Sequence, residues 1–356
     1  MRTVLLPILF AALGALLPAG ELTLARVFGP ETTTGPYKHP ASLTELPDGS
    51  LYLAYYSGAG EYATETGVYG ARLAKGATTW DAPVRIAADP FRSSGNPVVW
   101  MDPAGRVWLF YVVRYGATWS TSRIQLKVST DSARTWSDAH MLEVPGLPTE
   151  GLMVRGRPIV LASGDYLLPV YHETGADTES VGPDSTSRFL RYSVREKRWL
   201  DAGTIRSPKG NIQPAVVEVA PDHLVAYCRR GGNYEPTTSG WAVRSESRDG
   251  GRSWSRGEDS RFPNPNSALD LLRLRNGHLL LVYNDSMNDR KPLAVSLSTD
   301  GDRSWPVKRN LGTQLETYAY PTAIQASDGR IHVVFTSRGR TEIWHAVFDE
   351  DWVLGK

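Results

Sequence analysis

The sequence predicts an all-β fold, a six-bladed β-propeller whose blades are four-stranded antiparallel sheets. Three observations predict it. The first is composition: 33 glycines and 24 prolines among 356 residues, beside 11 tryptophans and 16 tyrosines, describe a chain of many turns and strand-favouring aromatics. The second is a turn leading into an apolar strand that closes on an aromatic, six times over. The closing residues are Tyr55, Tyr111, Tyr171, Tyr227, Tyr283 and Phe335, spaced 52 to 60 residues apart. The third is a tryptophan late in each unit: Trp80, Trp136, Trp199, Trp254 and Trp305, with Trp352 as candidate for the sixth. Such a period, with room for four short strands, is the pattern of a propeller blade.

Taken in order, residues 1–20 read as an export signal. Arg2 precedes an apolar run from Val4 to Pro18 that is short for a membrane span, and Ala19 or Gly20 offers a small residue for cleavage. The mature chain, 21–356, is then expected to be one propeller, secreted or periplasmic. Leu22–Phe28 is expected to pair with the last blade, closing the ring without a long exposed edge. Each blade opens on a polar residue before an apolar strand. His39-Pro40, Asn96-Pro97, Arg157-Pro158, Gln213-Pro214 and Tyr320-Pro321 open five of them, and Asn266-Ser267 opens blade five. Proline is tolerated at a strand's start, where no ladder donor is needed. Ser247 to Trp254 reads Ser-x-Asp-x-Gly-x-x-Trp; Ser129–Trp136 and Ser298–Trp305 repeat it with Ala133 and Asp302 in the glycine place. The aspartate caps such a turn by accepting backbone N–H groups, so these turns are read as structural.

Lys and Arg number 39 against 38 Asp and Glu, which excludes a strongly basic nucleic-acid binder. The single cysteine, Cys228, excludes an internal disulfide framework and is read as a small core residue. His-Glu-x-x-His, P-loop, Gly-x-Ser-x-Gly and Gly-x-Gly-x-x-Gly patterns are absent. No cofactor and no metal is therefore expected.

First strands line a propeller's channel, so the six openers are expected to ring one mouth of it. Second strands end at the same mouth, bringing Tyr56, Arg114, His172 with Glu173, Arg229 with Arg230, Asn284 with Asp285, and Ser337 with Arg338. The loop after Tyr56, carrying Glu61 and Glu65, overhangs it. Convergent polar groups at a concave mouth define the candidate site. One segment and one residue are open to either reading. The amides of Phe262–Ser267 bind sugar hydroxyls or satisfy their own turn, and Asp270 faces the channel or neutralises an arginine. His172 with Glu173 is a further candidate acid/base.

On these turns and strand ends the chain resembles the sialidase (neuraminidase) superfamily, in the branch of bacterial sialidase-like propellers with Asp-box repeats. The resemblance covers essentially the whole mature chain. It implies three arginines for a substrate carboxylate, which a planar guanidinium grips bidentately. It also implies a tyrosine nucleophile, since a carboxylate would be repelled by an anionic sugar. By this resemblance Arg229 and Arg290 hold the second and third arginine places, and Tyr320 that of the nucleophile. Three places differ. The first arginine falls at Lys38 or His39, with Arg157 or Arg338 as substitutes from the same mouth. The glutamate partner of the tyrosine becomes Gln213, which cannot take a proton. Glu61 lies in the loop of the acid/base aspartate.

The expectation is an exported, monomeric glycoside hydrolase that releases an acidic terminal sugar. Tyr320 and Glu61 are its catalytic groups, and Arg229 with Arg290 its carboxylate grip. Asn96, Asn266, Asn284, Asp270 and Gln213 are expected beside the substrate. A polysaccharide lyase using His39, Tyr320 and an arginine, or a glycan-binding propeller without catalysis, are the alternatives. The expected partner is a glycan, with neither nucleic acid nor membrane beyond the export signal.

Overall fold

The computed structural model describes residues 20–175 and 180–356; the expected export signal lies, save Gly20, outside them. Strand β1 (Thr23–Phe28) stands apart from its sequence neighbours. Blade one is β2 (Tyr37–Glu45), β3 (Leu51–Gly58), β4 (Gly67–Leu73) and β5 (Val84–Ala87). Blade two is β6 (Ser94–Met101), β7 (Val107–Arg114), β8 (Ser122–Ser129) and β9 (His140–Met141). Blade three has a broken first strand, β10 (Leu152–Val154) and β11 (Ile159–Val160), both paired with β12 (Tyr166–His172). It continues with β13 (Thr186–Ser193) and β14 (Arg198–Ile205). Blade four is β15 (Asn211–Ala220), β16 (His223–Arg230), β17 (Trp241–Ser247) and β18 (Glu258–Pro263). Blade five is β19 (Asp270–Arg273), β20 (Leu279–Asn284), β21 (Leu293–Ser298) and β22 (Val307–Gly312).

Blade six is β23 (Ala319–Gln325), β24 (Ile331–Ser337) and β25 (Glu342–Phe348), completed by β1 as its outermost strand. The first strand of the chain therefore fastens the last blade, as the pattern at Leu22–Phe28 predicts. Trp352 differs from the other five tryptophans. It sits on a short helix, α1 (Glu350–Leu354), whose first turn is capped by Asp349.

The core lies between blades. Among the described residues six apolar clusters each join one blade to the next. Each blade's tryptophan seals it against the blade before. Trp254, from blade four, stacks on Phe189 of blade three with ring centroids 4.0 Å apart, and donates its Nε1–H to Ala202 O at 3.1 Å. Cys228 is buried in that same interface. The Asp-box turns close these seams. Asp249 accepts from Ser247 Oγ, Ser253 N and Ser253 Oγ at 2.8, 2.9 and 2.6 Å. Asp302, in the glycine place of its turn, takes the left-handed backbone at φ 80°. Its carboxylate ties blades four and five by accepting from Tyr227 Oη, Arg244 Nε and Trp305 Nε1 at 2.7, 2.8 and 3.0 Å.

Candidate active site

Four of the five polar-proline openers turn out to be β-bulges, and the fifth, Arg157-Pro158, falls in the break between β10 and β11. Pairing registers skip between His39 and Ala41, Gly95 and Val98, Ile212 and Ala215, and Ala319 and Thr322. A bulge leaves one residue unpaired and re-aims its side chain. Proline is suited to it because it has no N–H to lose. At Asn96, Gln213 and Tyr320 the unpaired residue is left-handed, with φ of 45°, 52° and 55°; Asn266 at φ 55° does the same before β19. Such a conformation costs a non-glycine residue about 1–3 kcal/mol and concentrates at functional sites. The bulges turn these side chains to the channel mouth.

There they line a pocket whose walls include His39, Glu61, Asn96, Tyr171, Glu173, Gln213, Arg229, Tyr320 and Arg340. Tyr320 is the hub. Arg229 Nη1 donates to its Oη at 2.7 Å, and Gln213 Nε2 reaches it at 3.5 Å. Arg229 is itself fixed by Asn266 Oδ1 on its Nε at 2.6 Å, and its Nη2 donates to Tyr234 Oη at 3.0 Å. The Arg290 guanidinium lies 5.4 Å from the Tyr320 ring and donates to Tyr234 Oη at 3.3 Å. Burial, the largest influence on Tyr320, pushes its phenol up. Arg229, Arg290 and Arg340, with the Gln213 amide, outweigh burial and hold the phenol below the ordinary tyrosine value.

Two carboxyls share the pocket and are treated differently. Glu61 pairs with Arg340 and accepts Tyr56 Oη at 3.1 Å. Glu173, which follows β12, has its carboxyl pushed up to about 7 by burial, with the pull of Arg229 opposing and repulsion from Glu61 adding. His39 packs edge-on against Tyr320 with centroids 4.3 Å apart. Its Nδ1 meets Thr336 Oγ1 at 2.7 Å, while Nε2 is buried without a hydrogen-bond partner. Burial, then Arg340, Arg290, Arg155 and Arg229, push the imidazole well below its ordinary range, so it is neutral at neutral pH. Among the described residues no group of three His, Cys, Asp or Glu side chains is placed to hold a metal ion.

The remaining expected site residues lie elsewhere. Lys38 is buried and donates Nζ to Gly35 O, away from the pocket. Arg157 lies below the mouth, donating to Leu271 O at 3.3 Å with Asp270 at 3.9 Å. Asp270 accepts from Leu271 N and Ala323 N at 2.9 and 2.7 Å, tying backbone rather than facing substrate. Asn284, at the end of β20, donates to Tyr318 O at 2.9 Å in the segment that leads into blade six. Arg338 turns outward to Glu342 at 3.3 Å. The Phe262–Ser267 amides satisfy their own neighbourhood: Asn264 exchanges bonds with Ser267 at 2.8 and 3.1 Å, and Asn266 serves Arg229 from behind.

Two arginines that the sequence did not single out take the vacant places. Arg340, two residues after Arg338, approaches from the β24–β25 turn and donates to Tyr37 Oη at 3.1 Å as well as to Glu61. Arg155, two residues before Arg157, crosses the channel from blade three to blade six. It donates to Thr322 Oγ1, Tyr320 O and Pro321 O at 2.9, 2.7 and 2.9 Å, clamping the strained turn that carries Tyr320. The alternation Arg155-Gly156-Arg157 and Arg338-Gly339-Arg340 was the available signal. Gly156 is needed because a Cβ there would meet Pro214 O at 2.5 Å.

Residues 49–333 match the family model described as the BNR repeat-like domain. The chain belongs to that family. No curated protein matches it. Among solved structures it is similar to the Hadza microbial sialidase Hz136, at TM-score 0.73 and 17% identity, covering 89% of this chain and 66% of that one. The family member described here thus spans just under two thirds of that protein. It is similar to the intramolecular trans-sialidase from Ruminococcus gnavus in complex with oseltamivir carboxylate, at TM-score 0.72 and 15% identity, covering 92% and 98%. It is also similar to Penicillium chrysogenum α-L-arabinanase complexed with arabinobiose, at TM-score 0.64 and 16% identity, covering 93% and 99%. The likeness is one of fold: the six-bladed propeller.

Proposed function

We propose that this protein is a glycoside hydrolase acting on an anionic sugar. The observation that carries the reading is the convergence of Arg229, Arg290 and Arg340 on Tyr320, with Arg229 and Arg340 lining its pocket. Guanidinium groups from three separate loops and strands suit a planar carboxylate. The fold's likeness to sialidases and an arabinanase supports a sugar as ligand.

In this reading Tyr320 Oη attacks the anomeric carbon as the bond to the leaving oxygen breaks. Glu173, neutral below about pH 7, gives that oxygen its proton. Water then attacks the same carbon, the Glu173 carboxylate takes the water's proton, and the phenolate departs. Glu61, paired with Arg340, orients that arginine.

One observation favours a second reading. The bare Nε2 of neutral His39 beside Tyr320 suits proton removal next to a uronate carboxyl, which is lyase chemistry. A fluorogenic sialoside assayed beside uronic-acid glycosides and polyuronates separates the two. Release of the fluorophore or a reducing sugar, lost in Tyr320→Phe, supports the hydrolase. An unsaturated product absorbing in the ultraviolet supports the lyase. Binding without any turnover would overturn both and leave a glycan-binding propeller.

A further inference from the structure

We infer that Tyr320 rests as a phenolate at neutral pH, made so by the Arg229 guanidinium rather than by a carboxylate base. The proposal goes beyond the hydrolase reading and holds whether the oxygen serves as nucleophile or as base.

Tyr320 Oη has two side-chain partners, Arg229 and Gln213. Arg229 Nη1 lies 2.7 Å away and has no lone pair to offer. Gln213 presents Nε2, and its orientation is not free. Its Oε1 accepts from Arg229 Nη1 at 3.3 Å, so the opposite end of the amide must face Tyr320. Both groups at Oη are donors. A phenol placed there has no acceptor for its own proton from either, whereas a phenolate accepts from both.

The charges agree with the hydrogen bonds. Three guanidiniums face the Tyr320 ring, Arg155 after β10, Arg229 on β16 and Arg290 before β21, and a fourth, Arg340 before β25, acts on its phenol by charge. Against them stand Glu61, already paired with Arg340, Asp270, engaged by backbone N–H groups beside Arg157, and Glu173, largely protonated below about pH 7. His39 on β2 is neutral. A negative oxygen at the centre relieves this excess, and the net effect lowers the phenol below its ordinary value despite burial.

Tyr171 is a control built into the same pocket. Its Oη also receives two amide donors, Asn96 Nδ2 at 3.1 Å and Gln213 Nε2 at 3.4 Å. It has no guanidinium bonded to it and lies near Glu173, and burial followed by that carboxyl push its phenol well up. Two neutral donors leave that buried phenol high; at Tyr320 a guanidinium contact and the charges of Arg290 and Arg340 are added. Gln213 is then no defect. A carboxylate at 213 would take the phenol's proton only during reaction, and until then would hold Tyr320 protonated. With glutamine the proton has left to solvent beforehand, and the chemical step needs no acceptor for it.

The test reads ionisation directly, without a substrate. Tyrosinate absorbance in the ultraviolet is followed from about pH 5 to 9 in the full chain, in Tyr320→Phe and in Gln213→Glu, with circular dichroism confirming that each is folded. Burial pushes the phenols of Tyr52, Tyr55, Tyr56, Tyr171 and Tyr227 up, and the difference between the wild-type chain and Tyr320→Phe isolates the signal from the remaining tyrosines. One tyrosinate equivalent at neutral pH is expected in the wild-type chain, lost in Tyr320→Phe and lost or moved to higher pH in Gln213→Glu. No tyrosinate below pH 9 in the wild-type chain overturns the proposal, as does a signal that survives Tyr320→Phe or is unmoved by Gln213→Glu. If either variant fails to fold, carbon-13 labelling of the tyrosine ring Cζ in the wild-type chain decides: one phenolate resonance at neutral pH supports the proposal, and none overturns it.

Discussion

Blade four shows both ends of the propeller within one sheet. At its Asp-box end, Asp249 accepts three hydrogen bonds from Ser247 and Ser253, and Gly251 takes the left-handed turn at φ 87° without penalty. At its mouth end, Gln213 takes a left-handed turn with a full side chain, and Arg229 lies buried among other guanidiniums. The same hairpins make both ends. In blade four the Asp-box end satisfies its aspartate, although Asp222 there, like Asp302 in blade five, also turns left-handed; the mouth accumulates like charge, bulges and an unpartnered His39 Nε2. Strain of this kind persists only where the surrounding structure over-determines it. The tryptophan seams and Asp-box turns supply that determination, and the mouth uses it. Substitutions at the two ends should therefore differ in kind, with mouth changes altering chemistry and far-end changes altering stability.

The largest expected effect is at the mouth. Tyr320→Phe should lower turnover of whichever glycan is cleaved by at least about a thousandfold, leaving the thermal midpoint unchanged or raised. A midpoint that collapses instead would make Tyr320 a structural residue and break the comparison. At the other end, Trp254→Ala should cost about 3–5 kcal/mol in urea unfolding, as large aromatic-to-alanine core changes do, while the folded fraction keeps its full turnover.

Asp302→Ala should be next, at roughly 2–3 kcal/mol, because three donors lose a charged acceptor at once. Urea midpoints of Asp302→Ala and Asp302→Asn would show how much of that belongs to the charge. The two ends should also titrate apart. Glu173 must be protonated to act as acid, so activity should fall as pH rises through about 7, roughly tenfold per unit beyond it. Glu173→Gln should abolish that limb of the pH profile. Asp249 is held down to about 2: burial opposes, and the Ser253 and Ser247 bonds prevail. Its stabilising contribution is present above its unfolded value and is lost as pH falls through about 2, so the far end should be silent where the mouth titrates. The smallest effect sharpens the contrast most. Arg290→Met should raise stability by roughly 0.5–1 kcal/mol in calorimetry, because a site residue held by burial among Arg229 and Arg340 trades stability for function. It should weaken binding of an anionic sugar at the same time.

What the sequence determined by itself is the part governed by local chemistry. The turn before each strand, the aromatic that closes it and the tryptophan that follows recur at a set period. A four-stranded unit with one apolar seam on each side can satisfy itself only by meeting copies of itself around a ring. The place of Tyr320, Gln213, His39 and Asn96 at one mouth was legible for the same reason: a polar residue before proline at a strand's start must leave the ladder. Which arginines serve Tyr320 and its pocket was not. Arg155 and Arg340 each stand two residues from Arg157 and Arg338, and nothing in either triplet says which member turns inward. That choice depends on where a bulge ends, how closely Pro214 approaches Gly156, and which carboxylates wait across the channel. Side-chain direction along a strand reverses with each residue, so small changes of backbone conformation at a bulge or turn reassign a charge from solvent to the pocket. Only the closed ring, with six blades pressing on one channel, decides it.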